Sequence, residues 1–308
     1  MKKQKKSIFE VFQIALKKRF AIGAFNFYNL ETLQAILEAG EEARAPVICS
    51  VSESALQYMG IETAVMMFET LCANKKYPAF LHLDHGKSYE ICKKAIDEGF
   101  DSVMIDGSSL SFDENVELTK KVVKYADKNG VFVEGELGVL SGVEDNVSVA
   151  DKHAKFTNPQ EAKLFVEKTG VNSLAVAIGT SHGAYKFKGE PKLRIDILSE
   201  IEKQLGKYPI VLHGASTIDP LVIKQINKRG GKLKNAKGVN PHELKYICNV
   251  HNVCKVNVDT DLRLALIASL RKTLKSSQSE TNPRIFFTEA KEEVKDLVKQ
   301  KIIVFQGK

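Results

Sequence analysis

Three of the chain's seven histidines, His85, His182 and His213, each stand at or just past the end of a short apolar run. Imidazole is the commonest zinc ligand, and three histidines with an open fourth position make a catalytic rather than a closed site. Taken singly, a histidine in such a place is more often a hydrogen-bonded loop residue. Two of the three lie in glycine-containing turns, Ser181-His182-Gly183 and His213-Gly214, and a metal site follows if the fold brings all three to one place. Carboxylates occupy equivalent positions: Asp84 beside His85, then Asp106, Glu136 and Asp259. A cation at His85 would depress the pKa of Asp84 and keep it near a substrate, which suits proton transfer; its plainer alternative is to orient a histidine. Glu136 and Glu144 flank a stretch with glycine and serine, 138–142, able to swing a carboxylate over a site or simply to expose a solvated acid. His82 shares Asp84's side of its run and reads as a supporting or core residue. His153, His242 and His251 have no such company. Small residues at 179–183 and in His213-Gly214-Ala215-Ser216 could present backbone N–H groups to phosphate, with Lys186 and Arg263 adding charge, although turns use glycine for steric reasons anyway.

The elements that must position these groups alternate along the chain. Eight β-rich runs, 21–27, 46–51, 79–83, 102–105, 131–136, 173–178, 210–212 and 254–258, are separated by amphipathic segments such as 30–43, 88–98 and 113–128. Alternation of this kind implies a parallel sheet, and runs that are apolar throughout imply a sheet covered on both faces. Eight units predict a (β/α)₈ barrel (TIM barrel) of the α/β class, with a doubly wound open sheet as the alternative. In a barrel the C-terminal strand ends converge on one mouth, which would gather Asn26, Ser52, Asp84, His85, Asp106, Glu136, His182, His213 and Asp259. We expect one domain over 1–308. It has an N-terminal helix whose Ile8, Val11, Phe12, Ala15 and Leu16 share a face, and a C-terminal helical extension over 283–308. Two stretches, 138–157 and 230–251, read as irregular insertions, the second an extended segment before the last strand.

Composition narrows the function classes. Of 308 residues, 44% are hydrophobic and 27% charged, the balance of an ordinary globular protein. No apolar run approaches the roughly 20 residues of a membrane span. The five cysteines form no CxxC pair, as expected of reduced thiols in the cytoplasm. The net charge of +7 comes from 45 basic residues interspersed with 38 acidic ones, favouring a local anion pocket over a nucleic-acid face.

Seven stretches in order carry a resemblance over nearly the whole chain: AFNFYNLETLQAILEAG (24–40), LHLDHG (81–86), SVMIDGS (102–108), VEGELG with SGVED (133–138, 141–145), AIGTSHGAYKF (177–187), VLHGAS (211–216) and KVNVDTDLRLA (255–265). In these the chain resembles the class II fructose-bisphosphate aldolases. The resemblance implies zinc on His85, His182 and His213, with Asp106 and Glu136 near an alternative, non-catalytic position of the metal. It makes Asp84 the group that handles the C4 hydroxyl proton and Glu144 the one that transfers the C3 proton. Gly183, Lys186, Gly214, Ser216, Asn257 and Thr260 become the cradle for the C1 phosphate and enediolate. Arg263 meets the C6 phosphate, with Asn26 and Ser52 peripheral. A sodium or potassium ion nearby, a phosphosugar substrate, and a cytoplasmic homodimer or homotetramer belong to the same expectation, without nucleic-acid or membrane partners. Thr217, Ser141, Val143 and Ser54 depart from the usual residues of the family but remove no proposed catalytic side chain.

The activity so implied is reversible aldol cleavage of fructose 1,6-bisphosphate through a zinc-stabilised enediolate, in glycolysis and gluconeogenesis. Tagatose-1,6-bisphosphate aldolase is the nearest alternative; its members typically carry Ala where Asp259 stands. A Schiff-base enzyme would need a lysine ending a barrel strand, and none is evident. A catalytically inactive binding barrel fits poorly with retention of the three histidines, Asp84 and Glu144.

Overall fold

The computed structural model describes residues 6–139, 141–144, 147–149, 155–182, 193–234 and 236–307, with backbone only for 141–144, 147–149 and 182. Eight strands close into a barrel: β1 (Ile22–Asn26), β2 (Val47–Ser52), β3 (Ala79–Gly86), β4 (Ser102–Ile105), β5 (Phe132–Leu137), β6 (Ser173–Val176), β7 (Ile210–Leu212) and β8 (Val253–Val258). Each pairs in parallel with its sequence neighbours, and β1 pairs with β8 from Ile22↔Lys255 to Phe25↔Val258, completing the circle. Nearly every strand residue is buried, because one face meets the helices and the other the barrel interior. The expected (β/α)₈ architecture is therefore observed, with strand limits close to those read from sequence. β3 runs further than expected, to Gly86, so Asp84 and His85 lie in the strand itself.

Capping residues start helices close behind strands. Asn29 caps the helix Leu30–Ala43 three residues after β1, its side chain accepting from Thr32 N–H. Ser52, the last residue of β2, caps Glu53–Met59, and Ser88 caps Tyr89–Asp97 two residues after β3. Side-chain acceptors satisfy donors that the first turn leaves open. These three strand ends are thereby followed at once by a capped helix start.

The barrel floor is filled by the N-terminal helix Ile8–Lys18, opened by a Ser7–Glu10 capping box. Ile8, Val11, Phe12 and Ala15 are buried against Ile22, Ala24, Ile48, Phe80, Phe132 and Cys254, contributed by five strands. The Phe12 and Phe132 ring centroids are 4.4 Å apart. At the other end of the sequence, the helix Pro283–Phe305 packs on Leu30–Ala43 and Thr260–Ser276, and the Phe305 carbonyl accepts from Ala21 N–H at 3.0 Å.

Both stretches expected to be irregular contain regular structure. Within 138–157, strands Ser141–Glu144 and Val147–Val149 pair antiparallel, and Ser181–His182 joins the first in parallel. These strands are only two to four residues long, too short for an alternation pattern to register. The second half of 230–251 is the helix Pro241–Val250, capped by Asn240 with Pro at its first position. No helix among the described residues is long and apolar enough to cross a membrane.

If the N-terminal helix is the floor of the core, Phe12→Ala should cost about 3 kcal/mol, the scale of large-to-small changes at fully buried aromatics. The urea unfolding midpoint measures it, and a loss under about 1 kcal/mol would show that the contact is dispensable.

Candidate active site

At the C-terminal mouth, Asp84, His85 and His213 each offer a ligand atom, all within 4.8 Å of one another. The two imidazole rings meet edge to face with centroids 4.6 Å apart. His85 has φ +51, a left-handed conformation costly for a residue bearing a Cβ, and the β3–β4 register shifts between Leu83 and Gly86. This local irregularity puts two consecutive residues, Asp84 and His85, into one site where a regular strand would point them to opposite faces.

Each group is fixed by a partner from another strand. Asp84 accepts from Asn26 Nδ2 at the end of β1 and from Asn257 Nδ2 of β8, both at 2.8 Å, one on each carboxylate oxygen. His85 Nδ1 lies 2.8 Å from Asp106 Oδ2 and 3.6 Å from Glu136 Oε2, which makes His85, Asp106 and Glu136 a second group able to hold a cation. Burial and the neighbouring Asp106 push the Glu136 carboxyl well up. Burial would raise Asp106 too, but His85 and Lys87 outweigh it and hold Asp106 well below the usual range. His213 Nε2 is 2.7 Å from Glu134 Oε1, and its Nδ1 is 3.1 Å from Asn257 Nδ2. With Glu134 accepting the Nε2 proton, the His213 tautomer assigned by this network keeps its lone pair on Nδ1.

Behind these groups a polar chain crosses the barrel interior. Lys255 Nζ donates to Glu134 Oε2 at 2.8 Å and faces His82 Nε2 at 3.2 Å, while His82 Nδ1 meets Ser102 Oγ at 2.7 Å. Glu134 and Lys255 are each 1% exposed. Burial would raise the Glu134 carboxyl, but Lys255 and His213 hold it far below its usual value; burial, with Lys255 adding, drops His82 to about 3. The sequence reading missed Glu134 and Lys255, although a charged residue inside an otherwise apolar strand was the available signal. From sequence, no lysine is evident at a strand end where a Schiff base would need one. Lys255 does enter the barrel, yet from the middle of β8 and ion-paired, not from the strand's mouth end.

The other candidate positions sort as follows. Glu144 ends the strand Ser141–Glu144, whose Gly142 is in register with His182, so the short sheet carries both to one strand pair. The glutamate was expected on a loop; its backbone belongs instead to a β-ribbon. Gly183 and Lys186 lie outside the described residues, as do the side chains of Glu144 and His182. Gly214 has φ +61, and a Cβ there would come within 2.7 Å of the Ser181 carbonyl oxygen. The His213 turn is thus pressed against the strand bearing His182, and only glycine fits. Ser216 is 3% exposed, and Thr260 opens the helix Thr260–Ser276. Asn26, Ser52 and Arg263 line a cleft of about 340 Å³ together with Tyr28 and Tyr58. Arg263 Nε donates to Asp259 Oδ1 at 2.9 Å, which fixes the orientation of both.

The buried ion pair yields a test. Lys255→Met leaves Glu134 uncompensated and should destabilise the fold by about 3–5 kcal/mol, whereas Lys255→Met with Glu134→Gln should recover most of that. Unfolding midpoints of the two variants decide; equal losses would mean the charges are not coupled.

Comparison with known proteins agrees with this geometry. Residues 6–308 match the family model described as fructose-bisphosphate aldolase class-II. The chain is 49% identical over 294 residues to the fructose-bisphosphate aldolase of Helicobacter pylori (strain ATCC 700392 / 26695), covering 95% of each protein. It is 45% identical over 296 residues to that of Thermus caldophilus, covering 96% of each. The crystal structure of the YdjI aldolase from Escherichia coli K12 superposes with a TM-score of 0.78 at 28% identity, covering 98% of this chain and 97% of that one. A barrel that brings Asp84, His85 and His213 together, read with a match running from residue 6 to the end, makes this chain a member of the class II fructose-bisphosphate aldolase family.

Proposed function

We propose that the chain catalyses reversible cleavage of fructose 1,6-bisphosphate to dihydroxyacetone phosphate and glyceraldehyde 3-phosphate at the mouth of the barrel. The observation that carries this reading is Asp84, a buried carboxylate clamped by two amides, with an oxygen within 4.8 Å of a ring nitrogen of each of His85 and His213. The donor set fits zinc: His85 and His213 each have one ring nitrogen held by a carboxylate, Asp106 and Glu134, which is how proteins orient histidine ligands. In this reading His85, His182 and His213 hold the ion, with Asp106 and Glu136 at its alternative position. Bound there, zinc would supply Lewis-acid stabilisation of negative charge developing on the ketose oxygens.

The protein's own groups handle protons and position. Asp84 takes the proton from the C4 hydroxyl as the C3–C4 bond breaks, and the aldehyde product leaves. Asn26 and Asn257 hold its two oxygens, limiting the reorganisation needed when the proton moves. Glu144, from the ribbon, returns a proton to C3. Gly183, Lys186, Gly214, Ser216, Asn257 and Thr260 cradle the C1 phosphate, and Ser52 and Arg263 bound the C6 end, so that both phosphates contribute remote binding energy. Asp259, fixed by Arg263, accepts a substrate hydroxyl and favours the fructose over the tagatose epimer. A sodium or potassium ion near the zinc and a cytoplasmic homodimer or homotetramer complete the reading, on family resemblance.

Chelation should abolish cleavage of fructose 1,6-bisphosphate and zinc should restore it, with kcat/KM exceeding that for tagatose 1,6-bisphosphate throughout. Activity persisting in metal-free protein, or a preference for the tagatose sugar, would overturn the assignment. For the division of roles, Asp84→Ala should lower cleavage roughly a hundredfold or more yet still exchange the C3 proton of dihydroxyacetone phosphate with solvent. Glu144→Ala should impair that exchange, and equal loss in both zinc-loaded variants would refute separate roles.

A further inference from the structure

The C-terminal helix presents an apolar stripe to the barrel, Ala290, Val294, Val298, Ile302 and Phe305, and one charged residue, Lys301, is buried with it at 6% exposure. Lys301 Nζ meets Asp261 Oδ2 at 2.5 Å and Thr217 Oγ1 at 2.5 Å. Asp261 in turn accepts two backbone N–H groups, Thr217 at 2.9 Å and Ile218 at 2.8 Å. Burial would raise this carboxyl, but Lys301 and the two N–H donors bring it below its usual value. Ile218 has φ +46, unfavourable for a β-branched residue and sustained only where surroundings fix it. The segment 236–240 closes on the same turn. Val239 N–H donates to the Ser216 carbonyl at 3.0 Å, and a Cβ on Gly238 would overlap the backbone of Thr217.

We infer that Lys301, through Asp261 and Thr217, is a positioning residue that braces the 213–218 turn from behind, so that Ser216 and Gly214 meet the substrate phosphate in a fixed geometry, with Gly238 closing the opposite side. The inference rests on the reading of that turn as a phosphate cradle, and it gives the segment 230–251 a task. His213 joins the site at the mouth through its ring, while the Thr217 and Ile218 N–H groups are taken by Asp261. Loosening that anchor removes no group that would touch substrate but lets the turn relax, which weakens phosphate binding more than turnover.

The experiment compares zinc-loaded Lys301→Met, Thr217→Val, Ser216→Ala and the surface control Lys299→Met, whose ammonium pairs with Glu42. It reads KM and kcat for fructose 1,6-bisphosphate, the Kd of inorganic phosphate, and zinc content. Lys301→Met should raise KM and the phosphate Kd roughly tenfold, as for loss of a charge-assisted hydrogen bond, with kcat within about twofold and zinc retained. Thr217→Val, which removes only the hydroxyl that accepts from Lys301, should move both constants the same way by roughly threefold, and it keeps the test alive if Lys301→Met fails to fold. Lys299→Met should match wild type. Unchanged KM and phosphate affinity in Thr217→Val and in folded Lys301→Met, alongside weakened binding in Ser216→Ala, would overturn the brace alone. Unchanged binding in Ser216→Ala would overturn the cradle and the brace with it.

Discussion

A carboxylate in the middle of a barrel is tolerable only if its charge is answered on all sides, and Glu134 is answered by Lys255 on one oxygen and His213 on the other. Buried ion pairs of this kind add little net stability compared with apolar packing. What they fix is geometry. Glu134 sets the His213 ring and its tautomer; His213 and Asp84 both meet Asn257; Asn26 completes Asp84. Residues of β1, β3, β5 and β8, with His213 just past β7, are therefore joined through one hydrogen-bonded chain. Displacing any member disturbs strands on the far side of the barrel.

The interior divides along its axis in consequence. Below, Phe12, Phe80 and Phe132 fill the floor with apolar side chains; above, the strand ends carry carboxylates, amides and imidazoles. Lys255 and Glu134 occupy the boundary. The apolar packing beneath the polar chain lowers the local dielectric and strengthens each hydrogen bond in it. The strained backbone at His85 belongs to the same economy, held by pairing of β3 on both edges.

Much of this was legible from residue types. The eight strand runs, the helix faces and the positions of Asp84, His85 and His213 follow from alternation and from polar residues at strand ends, since burial and barrel topology act on every unit alike. Glu134 and Lys255 escaped because their partnership joins residues 121 positions apart, so that each strand shows a charge but not what answers it. Asn26 looked peripheral for the same reason, yet it touches Asp84. The ribbon at Ser141–Glu144 was hidden by its shortness, and Lys301 by lying in an apolar stripe where a helical pattern tolerates one exception.

The pairing of β1 with β8 sets an order of events during synthesis. Ile22 leaves the ribosome more than two hundred residues before its partner Lys255, and Phe12 waits as long for Cys254 to complete its socket. Throughout that interval a nascent chain would carry an unpaired strand edge beside an uncovered apolar helix, the two features that most invite association with other chains. How long those surfaces stay uncovered is set by the circular order of the strands rather than by any one residue.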